Sequence, residues 1–126
     1  MKSKSAPQKL LTEVELELMN LLWKLEEGTV HNIQEASSRK LAYTSVSTMM
    51  RILEQKGYVT SRKEGRGHVY LPAVTKSSYE ATALENVVER VFEGAPALLV
   101  RRLLDTKSLS KEDLQSIESL LKEKRT

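Results

Sequence analysis

The 126-residue chain contains no cysteine. That excludes disulfides, thiolate metal sites and a cysteine nucleophile, and it fits a reducing compartment. Aromatic residues are scarce, with one Trp, one Phe and four Tyr. A core, which the 40% hydrophobic content supports, must therefore rest mainly on Leu, Val, Met and Ala. No apolar run approaches the ~18 residues of a membrane span. The basic opening, MKSKSAPQK, lacks the apolar stretch of a signal peptide, so residues 1–9 read as a flexible arm and the protein as cytoplasmic. The two histidines, His31 and His68, lie far apart in sequence. There is no glycine-rich phosphate loop, nucleophile motif or cluster of metal ligands. Catalysis is the least favoured class, with no catalytic residue, metal or cofactor expected.

What is present is a basic region with a motif inside it. Residues 1 to 75 carry 11 Lys/Arg against 8 Asp/Glu, whereas residues 76 to 126 balance at 9 and 9. From Arg39 to Arg66 the bases are Arg39, Lys40, Arg51, Lys56, Arg62, Lys63 and Arg66, against only Glu54 and Glu64. A clustered basic patch is the electrostatic footprint of nucleic-acid binding. Within it, Val46, Met49, Met50 and Leu53 recur at helical spacing, while Thr44, Ser45, Ser47, Thr48, Arg51 and Gln55 fill the other face. A helix of about 13 residues is roughly 20 Å long and fits a DNA major groove. Gly57 ends it. The period then changes: Tyr58 to Lys63 and His68 to Val74 read as two strands around the glycine-rich turn Glu64-Gly65-Arg66-Gly67. A helix followed at once by a basic hairpin predicts a winged helix-turn-helix and a DNA-binding repressor.

Upstream, Thr12 and Glu15 form a capping box for a first helix, with Leu11 and Leu16 as its hydrophobic staple. Val14, Leu18, Leu21, Leu22 and Leu25 form its buried stripe, Trp23 is assigned to the core, and Gly28 ends the helix. Thr29 caps a short second helix with Val30, Ile33 and Ala36 buried, and its start is expected at backbone phosphates. Downstream, a capping box at Ser77-Ser78-Tyr79-Glu80 opens a long helix to about Phe92. Pro96 opens the next helix, and Ser110 with Asp113 caps the last. A 50-residue helical trio is a small core on its own. The fold class expected is therefore mainly α with a small β-hairpin wing. A winged-helix DNA-binding domain occupies 10–75 and a helical dimerisation region 76–126. Its dimer contacts are assigned to Tyr79, Val87, Val91, Leu99, Leu103, Leu114, Ile117 and Leu121.

The segments LTEVELELMNLLW, TVHNIQEA and LAYTSVSTMMRILEQKGYVTSRKEGRGHVYLP, with LSKEDLQSIESLL near the end, resemble the BlaI/MecI penicillinase-repressor family, which is related to the copper-responsive CopY group. The resemblance is nearly end to end and most specific in the helix-to-wing segment. It implies a homodimer on an inverted repeat of double-stranded DNA, blocking transcription until released. The family's recognition-helix positions fall on Thr44, Ser45, Ser47, Thr48 and Arg51, and its wing positions on Arg62, Lys63, Arg66 and His68. Hydroxyls can bond base edges or phosphates, a threonine methyl can meet a thymine methyl, and the wing cations suit phosphates. Thr44 and Ser45 also suit simple helix capping.

In antibiotic-responsive members, a membrane sensor leads to proteolysis in the C-terminal region. The corresponding place here is Arg102-Leu103 in VRRLLD, without the family's asparagine–phenylalanine bond; the other reading is a packed helix. The cysteine metal site of the copper-responsive members cannot form in this chain. Two rival readings are a winged helix that binds protein, against which the basic patch argues, and a ligand-responsive MarR-like regulator. The latter would wrap its winged helix with helices from both ends.

Overall fold

The computed structural model describes residues 10–125, so the expected arm at 1–9 lies outside the described residues. The elements in order are α1 (Glu13–Leu25), α2 (Val30–Ala36), α3 (Tyr43–Gln55), β1 (Val59–Glu64), β2 (Gly67–Pro72), α4 (Lys76–Val91), α5 (Pro96–Asp105) and α6 (Lys111–Arg125). Two compact units divide within α4, the first ending at Ala83 and the second beginning at Leu84. The first holds α1 to α3, the start of α4 and an antiparallel hairpin, and within it lie the helix-turn-helix and wing that the sequence pattern predicts.

The core of the first unit follows from helical periodicity. Leu18, Met19 and Leu22 of α1, Ile33 of α2, and Val46, Met50 and Leu53 of α3 are fully buried together with Tyr58. Met19 takes the central place on α1, and Leu25 is exposed rather than buried. Ala36, expected in the core, is exposed at the last position of α2. Leu11 and Leu16 both pack against the core. Thr12 and Glu15 form the expected capping box, with Thr12 N–H donating to Glu15 Oε1 at 2.9 Å and Glu15 N–H to Thr12 Oγ1 at 3.2 Å.

α1 ends earlier than Gly28, at Leu25, and Glu26 turns the chain with φ 75°. Gly28 has a different task. Its N–H donates to Tyr70 O at 3.0 Å and its C=O accepts from Tyr70 N–H at 2.8 Å, an isolated bridge that adds one rung beside β2. α3 closes with a Schellman motif. Gly57 has φ 88°, its N–H donates to Glu54 O at 3.0 Å, and Tyr58 N–H reaches Leu53 O at 2.9 Å. Tyr58 is thereby delivered into the core at the start of the wing. Burial pushes its phenol up to about 12, so it stays neutral.

The hairpin register pairs Val59 with Pro72, Ser61 with Tyr70, Arg62 with Val69 and Lys63 with His68. The turn has Gly65 at φ 58° in its first central position, the place a II′ turn gives to glycine.

α4 begins at Lys76. Its cap is Thr75, whose Oγ1 accepts from Ser78 N–H at 3.0 Å, two residues before the expected Ser77. Its first turns belong to the winged-helix unit. The Tyr79 ring lies 5.8 Å from Tyr58 and 6.1 Å from Trp23, and its hydroxyl accepts from Leu11 N–H at 3.2 Å. Trp23 donates from Nε1 to Val74 O at 2.9 Å and packs against the core as expected. Tyr79, assigned from sequence to the dimer face, is therefore buried inside the first unit.

The second unit comprises the rest of α4, α5 and α6. Pro96 opens α5, and Ser110 and Asp113 form the expected capping box of α6. Among the described residues of this unit, none is fully buried. Val87, Val91, Val100, Leu103, Leu104, Leu114 and Leu121 all stand exposed. Among the described residues, no helix is long and apolar enough to cross a membrane.

Candidate nucleic-acid interface

α3 buries Val46, Met50 and Leu53, and its opposite side follows from the same periodicity. Thr44, Thr48, Arg51 and Gln55 stand at i, i+4, i+7 and i+11 along one exposed line. Ser47 borders this line, half-buried, and Ser45 sits on the flank beside Ile52. The helix starts at Ala42, an N-cap with no side-chain hydrogen bond. Thr44 and Ser45 are therefore not spent on capping. Among the described residues, the hydroxyls of Thr44, Ser45, Ser47 and Thr48 have no hydrogen-bond partner. The first turn holds no acid, so the positive end of the helix dipole is not offset there. Buried apolar side chains thus hold in place a polar ridge that has no hydrogen-bond partner among the described residues.

Strand register decides which wing residues belong with this ridge. Residues directly opposite in the ladder share a face. Lys63 and His68 are paired and lie on the face of Ser61, whose Oγ donates to Glu54 Oε2 of α3 at 2.9 Å. That face looks toward the recognition helix. Arg66 stands at the tip, exposed. Arg62 alternates to the other face. Its Nη1 and Nη2 donate to the two oxygens of Glu27 at 2.9 Å each, and its Nε and Nη2 donate to Glu64 Oε2 at 3.0 and 2.8 Å. Glu27 is held below the usual carboxylate range, first by hydrogen bonding to Arg62 and in lesser part by the guanidinium charge, with desolvation opposing both. Arg62 is raised further above its already high value by the same two acids.

The basic cluster read from sequence therefore separates into two groups. Arg39 is paired with Glu17 at 3.1 Å, Lys56 with Glu15 at 2.8 Å, and Arg62 with Glu27 and Glu64. Among the described residues, Lys40, Arg51, Lys63 and Arg66 make no ion pair and no side-chain hydrogen bond. Within this cluster, these four cations are the ones open to an incoming phosphate. The start of α2 is less open than expected: Thr29 N–H donates to Asn32 Oδ1 and Asn32 N–H to Thr29 Oγ1, both at 3.0 Å. His31 faces solvent beside Glu35 at 3.2 Å.

The sequence assignment omits three residues that share this surface. Gln55 ends the exposed line of α3, Lys40 precedes the helix, and Tyr43 is 54% exposed in its first turn. Gln55 and Lys40 carried a signal, helical phase for one and charge for the other. Tyr43 carried none, because an aromatic at a helix start reads equally well as core.

The remaining assigned residues lie in the second unit. Val87, Val91, Leu103, Leu114 and Leu121 are exposed, Leu99 and Ile117 half-buried. Arg102 and Leu103 sit inside α5, with Arg102 Nη1 3.3 Å from Asp105 Oδ2. Among the described residues, no group of three or more His, Asp or Glu is gathered as a metal site.

The sequence profile of the family described as "Penicillinase repressor" matches residues 11–123. The chain is 27% identical over 122 residues to the penicillinase repressor of Bacillus licheniformis, covering 95% of this chain and 94% of that protein. It is 22% identical over 116 residues to the methicillin resistance regulatory protein MecI of Staphylococcus aureus, covering 90% and 94% respectively. Among solved structures, the DNA-binding domain of the repressor BlaI aligns with 63% of this chain and 94% of its own at 30% identity, with a TM-score of 0.49.

Proposed function

This chain belongs to the penicillinase repressor family of DNA-binding winged-helix repressors, and we propose that it holds an inverted-repeat operator as a homodimer, with one α3 in the major groove of each half-site. The observation that carries this reading is the unsatisfied polar ridge of α3. Thr44, Thr48 and Arg51 stand in line with no partner among the described residues, and they share a side with Lys63 and His68 of the wing. In this reading Ser45, Ser47, Thr48 and Arg51 meet base edges, and Lys63, Arg66 and His68 anchor the backbone. Exposed apolar faces on α4, α5 and α6 support a second copy as the partner. Linking two half-sites through that partner converts two weak contacts into one strong one.

Release acts through the second unit. A sensor-triggered protease attacking near Arg102-Leu103 would remove helices that hold the dimer together. That bond lies within helical α5, so the helix must open before a protease can engage it.

The two classes of contact separate experimentally. Thr48→Ala alters which bases are tolerated and weakens the best site by about 1–2 kcal/mol, within the range for a direct base contact. Arg66→Ala weakens all sequences alike and lowers the slope of log affinity against log salt by about 0.9 for a lost phosphate contact. Binding to a small library of operator variants at several salt concentrations reads both. An Arg66→Ala variant with altered base preference and an unchanged slope would reverse the two roles.

A further inference from the structure

We infer that Arg62 is a positioning residue, which clasps the wing to the turn between α1 and α2 through Glu27, with Glu64 of its own strand holding the guanidinium in place, and takes no part in phosphate binding. The inference rests on the repressor reading and assigns one residue of the wing a different task within it.

Three observations carry it. First, register puts Arg62 on the sheet face opposite Lys63 and His68. Second, four of the five guanidinium N–H donors are already taken, two by Glu27 and two by Glu64. Third, two carboxylates around one guanidinium leave a local charge of about −1, which repels a phosphate rather than attracting it. The trio links parts of the fold that share no helix. Glu27 lies next to Gly28, whose bridge to Tyr70 joins the same turn to β2. On the other face, Ser61 ties β1 to Glu54 of α3. The wing is therefore fastened on both faces, to α3 by Ser61 and to the α1–α2 turn by Arg62. These contacts fix where Lys63 and His68 stand relative to the polar ridge.

The groups are about half exposed, so the clasp is a modest device. Exposed pairs are weak, so the expected effect is about fivefold at most. The test is a double-mutant cycle of Arg62→Ala and Glu27→Gln in the full chain, read by operator affinity at several salt concentrations and by amide hydrogen exchange of the DNA-free protein. Arg62→Ala is expected to weaken binding about two- to fivefold with an unchanged salt slope. In the Glu27→Gln background the same substitution should matter less than about twofold, because the clasp is already open. Exchange at the Gly28 and Tyr70 amides should quicken in both single variants.

A phosphate contact gives the reverse pattern. The slope would fall by about 0.9, and Arg62 would count for more once its competitor Glu27 is gone. That result, or exchange unchanged in both variants, overturns the inference. If the wild-type chain shows no salt-dependent DNA binding, the repressor reading fails, and exchange alone still decides whether the clasp exists.

Discussion

Leu103→Asp is expected to lower operator affinity more than a hundredfold at low protein concentration while leaving the winged helix folded. The second unit supplies the reason. Its apolar residues form faces rather than a core: Val87 and Val91 on α4, Val100, Leu103 and Leu104 on α5, Leu114 and Leu121 on α6, all exposed. Such a surface is stable in water when a second copy covers it. Each apolar Å² removed from water contributes about 25 cal/mol. Leu103 is 43% exposed in the single chain, so an aspartate there sits in solvent and leaves the monomer intact. In the proposed dimer the same carboxylate would be buried without a partner, which is strongly unfavourable. A loss of about 3 kcal/mol lowers dimer formation more than a hundredfold. Sedimentation and operator titration against protein concentration measure the effect, with circular dichroism as the folding control. Unchanged dimerisation and affinity would remove α5 from the interface.

The second large effect is on stability. Lys56 is the C-cap of α3, and its Nζ donates to both oxygens of Glu15 at 2.9 and 2.8 Å. The pair spans from the capping box of α1 to the end of the recognition helix, with side chains 7% exposed for Glu15 and 22% for Lys56. Breaking a buried pair by removing one partner costs about 3–5 kcal/mol. Partial exposure of Lys56 brings the expectation for Lys56→Met to about 2–3 kcal/mol by urea unfolding near neutral pH. Glu15→Gln added to that variant restores part of the loss, since no buried charge then remains.

The pair also sets an acid limit. Burial works to raise the Glu15 carboxyl, but the hydrogen bond from Lys56, the Thr12 N–H and the Lys56 charge together hold it below its ordinary 4.5. A depressed carboxylate stabilises the fold above its unfolded value, and that contribution disappears as pH falls below 4.5. The deficit of Lys56→Met relative to wild type should therefore shrink as pH drops through that region. A deficit independent of pH would mean that Lys56 acts through packing alone.

Much of this was legible in the sequence, for local reasons. The stripe Val46, Met50 and Leu53 fixes the phase of α3, and with it the exposed side. Thr12, Thr29 and Ser110 announce three helix starts through caps that depend only on neighbours a few residues away. Gly57 and Gly65 mark backbone turns that favour glycine.

The features that were not legible are those set by residues distant in sequence. Arg62 reads as a wing cation until register and the position of Glu27, 35 residues earlier, show it engaged. Lys56 reads as part of a basic patch until its 41-residue reach to Glu15 is seen. Tyr79 shares the helical phase of Val87 and Val91, but the Tyr58 and Trp23 rings draw it into the first unit. Charge counting along a chain cannot distinguish an ion pair from an unpaired cation.

In the proposed function a dimer reads an inverted repeat through two copies of α3. Fluorescence anisotropy of the full chain against three duplexes tests it: an intact inverted repeat, a single half-site, and a scrambled duplex, each titrated at several salt concentrations. The expected result is two chains per intact repeat, affinity for it at least about a hundredfold above the half-site, and a log–log salt slope of several units. Equal, salt-insensitive affinity for all three duplexes, or one chain saturating the repeat, would contradict it.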